Sequence, residues 1–214
     1  MSEIPRSRKA LFWAVLMLVP FLLLAVLEGS LRLLHVATPQ PLFKAVHVHA
    51  LDGFVTNPDV GARYFPPAMR SYMPRLGFQF FPKEKGPRTF RFFCLGGSSM
   101  AGFPYHSHAS FGGLLAAQLQ TFLPSRKIEV VNCGMTAVNS HTALDFIPGI
   151  LEHEPDLIII YLGHNEFYGA LGVGSVCSLG RLPGIVPLMR FFLDLRISAV
   201  IRQILKVGHA REGL

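Results

Sequence analysis

The residues best placed to do chemistry stand in one short turn, Gly96-Gly97-Ser98-Ser99-Met100-Ala101-Gly102. A serine nucleophile needs a tight turn that projects its hydroxyl past the end of a strand, backbone N–H groups beside it, and a base to take its proton. The glycines allow such a turn, and the N–H of Ser98 can face a developing oxyanion. Alone, a Gly-Gly-Ser turn also occurs in plain loops and in phosphate-binding turns. Its position among the surrounding elements decides what it means.

Those elements alternate. Thr89 to Leu95 is short, apolar and aromatic-rich, ends at Gly96-Gly97, and reads as a strand. Phe111, Leu114, Leu115, Leu119 and Phe122 follow at helical spacing, with Ser110 as the N-cap and Pro124 as the stop. Lys127 to Asn132 is a second strand. Asn139 or Ser140 caps a helix carrying Leu144, Ile147 and Leu151, which Pro148-Gly149 is expected to kink or shorten. Asp156 to Leu162 is the third strand, apolar on both faces as an interior parallel strand must be. The order β-α-β-α-β predicts an α/β fold: a doubly wound, flavodoxin-like parallel sheet in three layers. Active sites of such sheets gather at the carboxyl ends of the strands. Here those ends are Gly96 to Ser99, Asn132 to Ala137 and Gly163 to Glu166, all rich in glycine and small polar residues.

Three blocks at these ends resemble the SGNH or GDSL hydrolases. Phe93 to Gly102 is similar to the family's nucleophile block, Asn132 to Ser140 to its second block, and Gly163-His164-Asn165-Glu166 to its third, which usually reads Gly-x-Asn-Asp. The resemblance covers about residues 89 to 170, and more loosely the segments before them. It implies Ser98 as nucleophile, with Asn165 pointing its amide at the oxyanion. Ala137 stands where the second block usually has its oxyanion glycine. Alanine keeps the backbone N–H, so that role survives if the local backbone does not require positive φ, and Gly134 is the nearby alternative. Gly97 replaces the aspartate of the GDSL wording. Glu166 replaces the aspartate of the third block, at a position that more often supports the loop than reacts; with His164 and His106 it is counted among candidate substrate-binding residues.

The family's last block, Asp-x-x-His, supplies the base and its orienting carboxylate. No such pair follows residue 170: Asp194 is followed at that distance by Ile197, and His209 is preceded by Lys206. The chain is therefore expected to stop before this block. His164 is an alternative base, though it reads better as a wall of the site. His106 and His108 are placed to line the substrate mouth, and Tyr161, Phe167 and Tyr168 to form core or pocket wall. His47 and His49 have only an H-x-H spacing, which by itself is seldom a metal site.

Across the whole chain, 214 residues suit one α/β domain with an N-terminal extension, and half of them are hydrophobic. The +7 charge is scattered, with no basic run interleaved with stacking aromatics, which argues against nucleic acid. Three cysteines, Cys94, Cys133 and Cys177, show neither CxxC nor zinc spacing. No metal or organic cofactor is implied. Ala10 to Leu27 holds no charged residue, and Arg6, Arg8 and Lys9 precede it. This reads as a signal anchor with residues 1–9 in the cytoplasm and the span at 10–34. A cleavable signal peptide is the competitor; the run is long for one and lacks a small-x-small site. Residues 35–88, rich in proline, read as an extended linker and collar with a short hairpin or two, and 89–214 as the hydrolase-like domain. Within it, a Gly-rich loop at 171–180 precedes a helix over 182–207. That helix either packs on the sheet or lies as a basic amphipathic helix on the membrane.

The expectation is a serine ester hydrolase on the outer side of the cytoplasmic membrane, with an acylated glycan or lipid as substrate. An O-acyltransferase using the same acyl-enzyme and a non-catalytic scaffold or glycan-binding module are the alternatives.

Overall fold

Three parallel strands set the frame for the candidate site. The computed structural model describes residues 6–48, 51–65, 73–105, 109–169 and 185–211. They fall into two compact units, Met1–Pro39 with Arg190–Leu214, and Gln40–Met189.

In the second unit, β4 (Thr89–Gly96) lies between β5 (Lys127–Asn132) and β6 (Leu157–Tyr161), all parallel. The register pairs Cys94 with Asn132 and Gly96 with Tyr161, so the three carboxyl ends come level. Alternate side chains of β4 leave by opposite faces. Phe92 and Cys94 meet Leu115 and Leu119 of α3 (Phe111–Phe122), while Phe93 and Leu95 join Phe146 and Ile150 of α4 (Ser140–Leu151). Helices thus cover both faces of a parallel sheet. Ser110 caps α3, its hydroxyl accepting from the Gly113 N–H at 3.2 Å, and Asn139 caps α4 through the His141 N–H. Pro148 sits inside α4 without shortening it, and the helix runs to Leu151.

Two expectations need correction. Residues 40–88, expected as an extended linker with a short hairpin or two, carry more regular structure than that. They contain an antiparallel sheet of β1 (Phe43–Val48), β2 (Leu51–Thr56) and β3 (Phe80–Pro82), in that order. Phe43 and Phe81 stack edge-to-face on one another at 5.1 Å and are buried with Phe93 in the core of the parallel sheet. Short strands broken by proline carry too little periodicity to announce themselves. Secondly, β6, expected as an interior strand, pairs only with β4 among the described strands, and Leu157, Ile160 and Tyr161 on it are exposed.

A buried arginine ties the amino ends of these strands together. Arg91, 1% exposed, donates through Nε to Glu129 on β5 at 2.9 Å, through Nη1 to the His153 carbonyl and through Nη2 to the Pro82 carbonyl. Its backbone N–H donates to Asp156 at 2.7 Å.

In the first unit, α1 (Arg6–Leu33) runs unbroken past Pro20. Its segment Phe12–Leu33 has a mean hydropathy of 2.3, none of it is buried, and it is long and apolar enough to cross a membrane. The helix expected over 182–207 is two helices, α5 (Ile185–Asp194) and α6 (Arg196–Arg211). Both carboxylate oxygens of Glu28 on α1 accept from the start of α6: Oε1 from the Arg196 N–H at 3.0 Å and Oε2 from the Ile197 N–H at 3.1 Å. Arg32 closes the arrangement through its Nε on Glu28 at 2.7 Å.

Candidate active site

Ser98 is the first residue of a one-turn helix, α2 (Ser98–Ala101), entered directly from β4 through Gly97. The Ala101 N–H closes that turn on the Gly97 carbonyl at 2.9 Å, and the Ser98 carbonyl accepts from Phe103 at 3.0 Å. No acceptor among the described residues takes the Ser98 N–H, as helix geometry requires for a first-turn donor.

The two glycines serve space rather than dihedral freedom. Gly97 has φ of −81°, open to any residue. A Cβ on Gly97, however, would stand 2.9 Å from Nδ2 of Asn165, and one on Gly96 would stand 2.4 Å from the Tyr161 carbonyl and 2.5 Å from Cβ of Met100. Absence of side chains lets β6 and the loop after it close against the nucleophile turn.

Around Ser98 the structure forms a tight cleft lined by Gly97, Ser99, Val138, Tyr161, His164 and Asn165 among others. Its free space, about 10 Å³, is room for roughly one water. Ser98 is half-buried in it, and among the described residues the Asn165 amide has no hydrogen-bond partner. His164 lines the same cleft, but it is exposed. Its ring stacks edge-on against Tyr161 at 6.1 Å, and among the described residues no hydrogen bond joins it to Ser98 or to a carboxylate.

Other candidates lie outside the cleft. Ala137 is exposed and adopts φ of +58°, the left-handed region whose absence the sequence reading made the condition for its oxyanion role, so that condition is not met. Its N–H has no acceptor among the described residues. The Gly134 N–H is committed to Oδ1 of Asn132 at 2.8 Å, which removes it as an oxyanion donor; its missing side chain instead admits the α2 backbone, since a Cβ would meet the Ala101 nitrogen at 2.5 Å. Glu166, counted with the substrate-binding residues, spends both oxygens on Ser140: Oε1 accepts the N–H at 2.9 Å and Oε2 the hydroxyl at 2.7 Å. His106 and His108 fall outside the described residues, as do His49, Cys177 and the loop at 171–180.

Asn132 is the residue the sequence reading passed over. Buried at the end of β5, it donates through Nδ2 to the Met100 carbonyl at 2.7 Å and so holds the last turn of α2. Gln79 grips its backbone from the antiparallel side, Oε1 accepting the Asn132 N–H at 3.0 Å and Nε2 donating to its carbonyl at 3.3 Å. Only its place beside the second block hinted at this.

Cys94 and Cys133 are inert packing. Cys94 and Cys133 project to opposite faces of the sheet, and burial pushes the Cys94 thiol up to about 11 and the Cys133 thiol higher still. Among the described residues no cluster of three or more His, Cys, Asp or Glu is arranged to hold a metal ion.

No family profile and no curated protein sequence matches the chain. Among solved structures, it is similar to AlinE4, an SGNH-hydrolase family esterase, at 18% identity and a TM-score of 0.34 over 52% of this chain and 53% of that one. It is also similar to TesA, at 19% identity and a TM-score of 0.31 over 51% of this chain and 54% of that one. The chain thus spans about half the length of these structures.

Proposed function

We propose that the protein is a serine ester hydrolase working through a Ser98 acyl-enzyme on the outer side of the cytoplasmic membrane. One observation carries this reading: Ser98 and the Asn165 amide, unbonded among the described residues, share one tight cleft at the carboxyl end of a parallel sheet. Ser98 attacks the acyl carbonyl. The N–H of Ser98 and the amide of Asn165 hold the oxyanion, each a donor unspent among the described residues that costs no reorganisation as charge develops. The base is a histidine of the Asp-x-x-His type the resemblance implies, which no described residue supplies at Ser98. The sheet belongs to the doubly wound, flavodoxin-like class, and α1 is an uncleaved anchor with the N-terminus inside. Support for its retention comes from Glu28, whose removal would strip the α6 N-terminus of its cap. Acylated glycans and lipid esters fit a tethered enzyme, and a sugar hydroxyl in place of water would make the same acyl-enzyme an O-acyltransferase.

A second reading is a non-catalytic scaffold or glycan-binding module, favoured by the lack of a hydrogen-bonded His–carboxylate pair at Ser98 among the described residues. Fluorophosphonate labelling separates the two. The product of the full reading frame, whatever lies beyond Leu214, is expected to label at Ser98. Labelling no faster than that of Ser98→Ala sinks the hydrolase reading and leaves the scaffold.

A further inference from the structure

The sixteen residues of α6 contain Arg196, Arg202, Lys206 and Arg211 and no acidic residue. Along the same helix Ile197, Val200, Ile201 and Ile204 recur at i, i+3, i+4 and i+7, which places them on one face. Ile201 and Ile204 are exposed, Ile204 by 64%, and so are Phe191 and Phe192 in the turn before it. An apolar stripe on a purely basic helix leaves the question of what covers it.

Glu28 supplies the answer through its position on α1. The uncharged run from Ala10 to Leu27 is eighteen residues, a rise of about 27 Å at 1.5 Å per residue, close to the thickness of a bilayer core. Glu28 and Arg32 are the first charges beyond it, in the last two turns of the span, where hydrocarbon gives way to headgroups. The same Glu28 carboxylate holds the first two N–H groups of α6. The amphipathic helix therefore begins at the headgroup level. It is too basic to enter the core, and its exposed isoleucines are too apolar to face water alone.

We propose that α6 lies in the membrane interface as an anionic-lipid-binding helix, its Ile201 and Ile204 face sunk at the acyl boundary and its excess of basic over acidic residues favouring anionic phosphate headgroups. The bond from Glu28 fixes where on the bilayer the helix starts. This rests on the reading of α1 as a membrane anchor and is independent of any chemistry at Ser98.

Depth-dependent quenching tests it. Trp13, the sole tryptophan of the chain, reports on α1 directly. In a Trp13→Phe background, Ile204→Trp and Gln203→Trp place single reporters on the apolar face and one position off it. The full chain is reconstituted in vesicles of phosphatidylcholine and phosphatidylglycerol carrying lipids brominated near the glycerol. Ile204→Trp is expected to be quenched at least about twofold more than Gln203→Trp, and less in phosphatidylcholine alone. Equal quenching of the two, or an Ile204→Trp shielded from aqueous acrylamide yet untouched by brominated lipid, overturns the proposal; the latter assigns the face to protein. If Trp13 of the unmodified chain is itself not quenched, the anchor reading falls and takes this proposal with it.

Discussion

A Cβ placed on Gly97 would stand 2.9 Å from the side-chain nitrogen of Asn165, two positions 68 residues apart in the chain that meet across the ends of β4 and β6. The nucleophile turn and the amide proposed to stabilise its oxyanion are thus in direct contact, and the missing side chain is what permits it. Gly97→Ala is expected to push the amide aside and to lower the rate of ester hydrolysis by about 10²-fold, the cost of a displacement of about 1 Å at a reacting centre. Asn165→Ala should lose about 10²–10³-fold. The double variant should be no worse than Asn165→Ala alone, and additive losses measured in kcat would refute the coupling.

Ala137 holds φ of +58°. For a residue with a Cβ this conformation costs about 1 kcal/mol, a strain that glycine escapes. Ala137→Gly is expected to raise the urea midpoint by the equivalent of about 0.5–1 kcal/mol, whereas Ala137→Val, branched at Cβ, should lower it by more than that. A stabilising valine would contradict the left-handed assignment.

The clamp of Glu166 on Ser140 joins the third loop to the start of α4. Glu166→Ala removes two charge-assisted hydrogen bonds at an exposed site, with an expected loss of about 1–2 kcal/mol in chemical denaturation. Because the clamp positions Asn165 rather than touching substrate, kcat should fall while KM stays near its original value. A change confined to KM would instead return Glu166 to the substrate-binding residues.

Arg91 and Glu129 form an ion pair buried to 1% and 9% exposure. Arg91→Met leaves Glu129 with only Lys127, 2.7 Å away on the surface side, and strands the carbonyls of His153 and Pro82. The expected loss is about 3–5 kcal/mol. Adding Glu129→Leu should recover a substantial part of it, a non-additivity that a thermodynamic cycle reads directly.

Acid should loosen the fold in two steps. His153 packs against the rings of Phe43, Phe54 and Phe81, and burial, aided by the Arg91 charge and opposed by Glu152, holds its imidazole below the ordinary 6.5. The unfolded chain binds that proton first, so this contribution is whole above 6.5 and is lost as pH falls from there through the folded value. For Asp156, burial alone would raise the carboxyl. Hydrogen bonds from Lys85 and the Arg91 N–H, with the charges of Lys85 and Arg126, bring it below 3.8 overall. Its contribution is present above 3.8 and vanishes as pH drops through the lower folded value. Urea midpoints at about pH 8 and about pH 5 should differ less in His153→Gln than in the parent; an unchanged difference would rule His153 out as the upper-step group.

The sequence by itself determined the alternation of strand and helix from Thr89 to Tyr161, the caps at Ser110 and Asn139, and the three small-residue strand ends. Each of these is written in neighbouring residues, as periodicity, a cap or a break. It also placed the uncharged run at 10–27. Only the tertiary structure decided why Gly97 is glycine, that Ala137 sits at positive φ, and that Gly134 and Glu166 are spent on Asn132 and Ser140. The grip of Gln79 on Asn132, 53 positions away, and the entry of Phe43 and Phe81 into the core belong with these. The physical reason is common to them. Each is a through-space contact between distant positions, where close approach or a single hydrogen bond selects the residue, and such selection leaves no period along the chain.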